Sequence, residues 1–183
     1  DHAGTEDEAA LGGPRAAAET LALGLADRGV RASVIRLAPS VHSYLDLAGF
    51  VPALIGFARK AGFAAYVGDG DARWPGVHTL DAAVLYRLAL EQGEAGSRFH
   101  GTGEEGVPFR EIAETIAEGT GLPAKSVAPD EAGQYLSFLA GFSQLDNPMS
   151  SALTQQRLGW QPTGPLLLDD IEANYFTEAR LAG

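Results

Sequence analysis

The chain has 183 residues, 45% hydrophobic and 20% charged, the balance of an ordinary globular domain long enough to bury a real core. Its net charge of −11 excludes the basic face that nucleic acid requires, and the absence of cysteine excludes disulfides and thiolate chemistry. No apolar run reaches membrane-spanning length and no secretory leader opens the chain, so a cytoplasmic protein without a membrane partner is expected. The chain starts at Asp1 in mid-pattern, which reads as the C-terminal part of something longer.

The first ten residues are acidic, with Glu6, Asp7 and Glu8 unrelieved by Lys or Arg, and read as a solvated loop. Gly12-Gly13-Pro14 is a turn, with Pro14 suited to a first helical turn. Ala16, Leu21, Ala22, Leu25 and Ala26 then fall on helical spacing over Arg15–Arg28, and Gly29 is the stop. Val30–Leu37, with Val34, Ile35 and Leu37, predicts a buried strand of a mostly parallel sheet. Such a strand carries a ligand site at its carboxyl end, here Ala38-Pro39-Ser40-Val41-His42. Pro39 stops the ladder, leaving Ser40 and Val41 to turn N–H groups and a hydroxyl towards a ligand. An ordinary strand-to-loop exit is the plainer alternative.

A second helix is predicted over Gly49–Lys60, with Pro52 in its first turn, and a short strand over Ala64–Val67. Gly68-Asp69-Gly70-Asp71 reads as a tight hairpin-type turn. Thr79 is the expected N-cap of a helix over Leu80–Gln92, and Ser97–Gly101 is a further strand. A glycine-rich loop follows, then a helix from Pro108 to about Glu118, a short strand over Lys125–Val127 and a helix over Asp130–Phe142. Ser150-Ser151 cap a helix over Ala152–Leu158, and Leu166–Ala179 is the last helix.

Candidate chemistry is sparse. Gly101-x-Gly103-x-x-Gly106 matches a dinucleotide fingerprint by letter, but Glu104 and Glu105 would repel a pyrophosphate where the helix dipole should attract it. His2, His42, His78 and His100 lack metal-ligand spacing. Asp46, Asp69, Asp71 and Asp81 suit a turn and helix starts better than paired acids. Arg73, beside Trp74, has the planar fork to hold an anionic substrate group; a stacked surface Arg–Trp pair is the alternative.

Four stretches, in this order, resemble the extended and atypical short-chain dehydrogenase/reductases, which include the NAD-dependent epimerases and dehydratases. Arg15-Ala-Ala-Ala-Glu19 followed by Gly29 to Ser40 resembles the active-site helix and its following strand. Tyr66-Val67-Gly68-Asp69-Gly70, Arg73 and Val77-His78-Thr79-Leu80-Asp81-Ala82-Ala83 resemble a Gly-Asp-Gly, Arg and Val-x-x-x-Asp-x-Ala run. Phe99-His100-Gly101 and Leu158-Gly159-Trp160-x-Pro162 complete the set.

The resemblance implies an α/β fold: the C-terminal part of a Rossmann-type parallel sheet plus a mixed α/β substrate-binding domain. Residues 1–45 would be a remnant of the NAD(P)-binding domain and residues 46–183 the substrate domain. NAD or NADP is the implied cofactor, held by Arg15, Pro39, Ser40 and Val41, with His42, Arg73 and Trp74 lining the substrate cleft. The family's glycine-rich cofactor loop has no counterpart in this sequence. Its catalytic Tyr-x-x-x-Lys pair is replaced by Leu11 and Arg15, so the catalytic residues stay unassigned. Leucine cannot donate a proton, and arginine's pKa is too high for proton exchange. Two readings follow. One is an NAD(P)-dependent oxidoreductase or epimerase-like protein acting on a small carbonyl, alcohol or sugar-like substrate. The other is a non-catalytic NAD(P)-binding regulatory or interaction protein. The partner is a small molecule, and a homodimer is allowed.

Overall fold

The computed structural model describes residues 2–10 and 13–177. The elements run α1 (Gly13–Gly24), β1 (Val34–Leu37), β2 (Ser40–His42), α2 (Phe50–Ala61), β3 (Ala64–Val67), β4 (Arg73–His78) and α3 (Thr79–Gln92). They continue with β5 (Arg98–Gly101), β6 (Glu104–Pro108), α4 (Phe109–Thr120), β7 (Ala124–Val127), α5 (Ala132–Leu136), α6 (Ala152–Leu158) and α7 (Leu167–Asn174). None of the described helices is long and apolar enough to cross a membrane. The α/β expectation holds, with three parallel strand pairings among the four between named strands.

The strand around Ile35 is divided. Val30–Ser33 lies outside the ladder, with the Ala32 N–H turned onto the Val30 carbonyl. β1 pairs in parallel with β5, Val34 opposite Arg98. Two residues later β2 pairs in parallel with β4, Ser40 opposite Gly76. The chain therefore leaves one sheet and enters another across Ala38-Pro39. Pro39 ends the first ladder as expected, because it has no N–H to give. Ser40 and Val41, however, start a second ladder instead of turning their N–H groups to a ligand. β4 also pairs antiparallel with β6, which makes it the middle strand of three. β3 pairs in parallel with β7 in a separate two-stranded sheet.

Two apolar cores fill the layers. One gathers α2, β3, α4, α5 and α7 around Trp74, Phe109, Ile116 and Ile171. The other packs Leu85 and Ala89 of α3 with Phe99, Leu158 and Trp160. β5 and α3 thus serve the same body as β1, although they lie beyond residue 45 in the sequence.

Several expectations are corrected. Gly68–Asp71 is a tight turn, with Gly68 and Gly70 at positive φ, but not a hairpin: β3 and β4 belong to different sheets. A Cβ on Gly70 would come within 2.7 Å of the Arg110 Cβ, so the turn needs glycine for close approach as well as for its backbone angle. Arg73–His78, for which no strand is predicted, is the central strand. Pro75 is tolerated there because the register shifts between Trp74 and Gly76. Glu104–Pro108 is a strand, not a loop, and the Glu104 carboxylate accepts the Leu167 N–H. The N-cap of α3 is His78, whose Nδ1 accepts the Leu80 N–H, and Thr79 is the first helical residue. The predicted helix over residues 130–142 breaks at Ser137, which has φ +50°. The last helix stops at Asn174, before Tyr175, whose hydroxyl accepts the Ser43 N–H and donates to Asp46.

Candidate functional site

An open cleft of about 760 Å³ lies along β1 and its exit. This is within the size range of small-molecule sites, roughly 300–1,000 Å³. Arg15, Ala18 and Glu19 of α1 form one wall with Arg36. Pro39 and Val41 form the floor where the chain crosses between sheets. Phe50, Phe142, Leu145 and Asn147 form the opposite wall.

Of the expected cofactor residues, Arg15, Pro39 and Val41 line this cleft. Ser40 does not. Side chains alternate along a strand, so Val41 facing the cleft turns Ser40 and His42 to the back, and both are buried. Leu11 lies outside the described residues.

His42 is corrected for the same reason: it sits behind the cleft floor, not at its edge. Its Nδ1–H donates to Asp170 across 2.6 Å, and both side chains are almost fully excluded from solvent. The second Asp170 oxygen accepts the Asn174 amide at 2.6 Å. Burial holds His42 below its ordinary pKa, partly offset by Asp170. Its other ring face meets His78 edge-on, with centroids 5.7 Å apart.

Trp74 is corrected outright. It is 2% exposed, packs edge-on against Phe109 and donates its indole N–H to the Phe142 carbonyl. It is a core residue and cannot stack at the surface. Arg73 instead makes a forked pair with Asp146, Nε to one oxygen at 2.9 Å and Nη2 to the other at 2.8 Å. The Arg73 N–H also donates to Asp146, and the Asn147 N–H returns to the Arg73 carbonyl. The pair holds the Asp146 carboxyl below its usual range. Arg73 thus stands beside the Leu145–Asn147 wall with its fork already occupied.

A network that sequence reasoning missed lies at the back of the first wall. Glu19 accepts from Arg36 twice, at 2.8 and 2.6 Å, and from Arg98 at 2.8 Å. The Arg36 bonds chiefly hold Glu19 below its usual pKa. Arg36 also donates to the Glu8 carbonyl and to His100 Nε2. His100 Nδ1 donates to the Ser150 carbonyl, so the ring is held as the neutral Nδ1–H tautomer. Arg36 and Arg98 share one face of the paired strands β1 and β5, and that alternation was the available signal.

The Gly101–Gly106 stretch takes no part in the cleft. It forms the end of β5 and the start of β6, and Ser151 donates to the Thr102 carbonyl inside it. A smaller space of about 50 Å³ opens behind β2, walled by His42, His78, Asp81 and Glu104. Among the described residues no His, Asp or Glu cluster is arranged to hold a metal ion.

The fold is similar to that of solved sugar-nucleotide dehydratases and epimerases, so the resemblance read from the residues holds at the level of the fold. A dTDP-glucose 4,6-dehydratase of Streptomyces venezuelae, solved with NAD bound, superposes with a TM-score of 0.73 over 95% of this chain and 53% of its own, at 19% identity. A UDP-glucose 4-epimerase of Thermus thermophilus, in complex with NAD, gives 0.65 over 93% and 54%, at 18% identity. In sequence, the chain is 47% identical over 163 residues to an uncharacterized protein of Schizosaccharomyces pombe. It is 46% identical over 161 residues to an uncharacterized protein of Saccharomyces cerevisiae. These matches cover 89% and 88% of the chain, which spans about half the length of either relative, 55% and 54%. A UDP-glucose 4-epimerase of Corynebacterium glutamicum matches at 35% identity over 97 residues, 51% of this chain and 27% of the epimerase. No family model matches.

Proposed function

We propose that this chain forms the substrate side, and the nicotinamide end of the cofactor site, of an NAD(P)-dependent oxidoreductase or epimerase-like protein acting on a small carbonyl, alcohol or sugar-like molecule. In this reading residues 1–45 belong to the cofactor domain, with β5 and α3 returning to it, and most of residues 46–183 build the substrate domain. The observation that carries it is the cleft at the carboxyl end of β1, where parallel α/β sheets bind ligands. Arg15 fits such a cofactor: its exposed guanidinium lies in the cleft wall and offers several donors to a phosphate or ribose hydroxyl. A bound nicotinamide would supply the hydride. Pro39 and Val41 give an apolar floor that excludes water from beneath a flat ring.

One observation favours the second reading, a protein that binds NAD(P) without turning it over. The ionisable groups among the described residues of the cleft wall are Arg15, Glu19 and Arg36. Arginine does not exchange protons near neutrality, and Glu19 is tied by three hydrogen bonds to arginines. Neither suits general acid–base work. Calorimetric titration of the full-length protein with NAD(H) and NADP(H), beside a redox panel of carbonyls and alcohols, separates the two. Binding with turnover supports the enzyme, and binding without turnover supports the regulator. Arg15→Ala should weaken cofactor affinity by about ten-fold, in line with loss of a charge-assisted contact. No cofactor binding at all rejects both.

A further inference from the structure

The two walls of the cleft differ in chemistry. The charged side chains belong to the α1 and β1 side. The far wall is Phe50, Phe142 and Leu145, with Asn147 as its polar group. Phe142 and Leu145 are 47% and 51% exposed, an apolar surface that a ligand could cover. Phe50 and Phe142 lie with ring centroids 6.0 Å apart, and Phe138 continues the aromatic surface 6.2 Å from Phe50. The wall is pinned: the Trp74 indole holds the Phe142 carbonyl, and the Asn147 N–H holds the Arg73 carbonyl. The cation closest to it in sequence and pairing, Arg73, is neutralised by the forked bond to Asp146. The chain as a whole carries −11. A diphosphate brought to this wall would find apolar surface and an acid already on its arginine.

Resting on the reading of this cleft as a small-molecule site, we infer that its ligand presents an uncharged apolar or aromatic body to Phe50, Phe142 and Leu145. A carbonyl or hydroxyl of that body would be within the reach of Asn147. A nucleoside-diphosphate sugar is not the ligand.

The test titrates the full-length protein with 2-naphthol, an uncharged aromatic alcohol, with UDP-glucose, and separately with NAD(H) and NADP(H). Saturable 2-naphthol binding without UDP-glucose binding is expected. Leu145→Asp and Phe142→Asp should each weaken 2-naphthol by about ten-fold or more through loss of apolar contact, while Phe142→Leu keeps it within about three-fold. The melting temperature of Leu145→Asp should stay near the native value, because Leu145 is half exposed, and Phe142→Asp is compared at its own melting temperature because Phe142 packs on Phe50. UDP-glucose binding to the native protein without 2-naphthol binding overturns the inference, as does binding of neither. So does 2-naphthol binding unchanged in both Leu145→Asp and Phe142→Asp, which would mean the wall serves a macromolecule or nothing. If 2-naphthol binds as expected and no cofactor does, the ligand class stands and the NAD(P) reading falls.

Discussion

Replacing Asp170 with alanine should be among the most damaging single changes in this chain, although Asp170 touches no ligand. The carboxylate is fully buried and accepts from His42 and from Asn174, each at 2.6 Å. A hydrogen bond to a charged group is worth roughly 1.5–3 kcal/mol net, and losing the acceptor leaves the buried His42 N–H without a partner, at roughly 1–3 kcal/mol. We therefore expect Asp170→Ala to lose about 3–5 kcal/mol. Asp170→Asn keeps the shape and one acceptor oxygen, and should lose about 1–2 kcal/mol. His42→Leu removes the stranded donor. The double variant His42→Leu/Asp170→Ala should thus be more stable than the sum of the two singles by at least about 1.5 kcal/mol. Urea unfolding followed by tryptophan fluorescence reads this directly, since Trp74 and Trp160 are both buried. The same variants should loosen the cleft, because Val41 on the front of β2 lines it and His42 anchors the back. A loss below about 1 kcal/mol for Asp170→Ala, or strict additivity in the cycle, would refute the argument.

Two further outcomes follow from the buried groups. Burial lowers the pKa of both His42 and His100 from the ordinary 6.5, so the unfolded chain binds their protons first. The stability they contribute is full above pH 6.5 and drains as pH falls through 6.5 towards their lower folded values; urea midpoints from pH 8 to 5 should fall, with a shallower fall in His42→Leu, and a flat profile would contradict this. Glu19, also depressed, adds its loss at lower pH, below its ordinary 4.5. Trp74→Ala should cost about 3–5 kcal/mol by leaving a cavity between Phe50 and Phe109, with Trp74→Phe costing less. Ligand affinity in Trp74→Phe should hold, and a selective loss of affinity at native stability would return Trp74 to the cleft.

Helices with strong 3.6-residue periodicity and glycine stops were legible from sequence: α2 ends at Gly62 and α4 at Gly121, and Gly29 closes the 3₁₀ turn that follows α1, each glycine at positive φ. Strands built from poor strand formers were not. Arg-Trp-Pro-Gly-Val-His reads as a turn, and it becomes a central strand only because a register shift absorbs Pro75 and β2 and β6 flank it. Glu-Glu-Gly-Val-Pro likewise pairs because β4 offers an edge. Of the residues that line the cleft, Pro39 and Val41 were read from the strand exit, and Arg15 only from the family resemblance. Ser40 and His42 were misplaced because the second ladder, invisible in a three-residue run, imposes a period of two that turns them inward. The apolar wall was unreadable because Phe142 and Leu145 reach the cleft only through the break at Ser137 and the bond from Trp74 to the Phe142 carbonyl.

The placement of charge decides what the cleft can do. Every arginine the described structure brings near it except Arg15 already holds a carboxylate: Arg36 and Arg98 hold Glu19, and Arg73 holds Asp146. The Glu19 pair is largely shielded, so an entering anion cannot cheaply displace it. The Arg73 pair is about half exposed and would open more readily, but neither of its residues lines the cleft. Arg15 alone has its fork unspent on any carboxylate, and it stands on the α1 side beside Pro39. A ligand with one anionic or hydroxyl-rich end and one flat, uncharged end fits this distribution. The polar end would lie along α1, the flat end over Pro39 and Val41, and a second, apolar molecule against Phe142 and Leu145. Under the proposed NAD(P) reading, the two molecules would meet over the floor of the strand crossing, as a hydride transfer requires. It also leaves the proton to be supplied from outside the described wall, so a turnover rate limited by proton delivery, seen as a solvent isotope effect larger than the hydride isotope effect, is the expected signature of an active full-length protein.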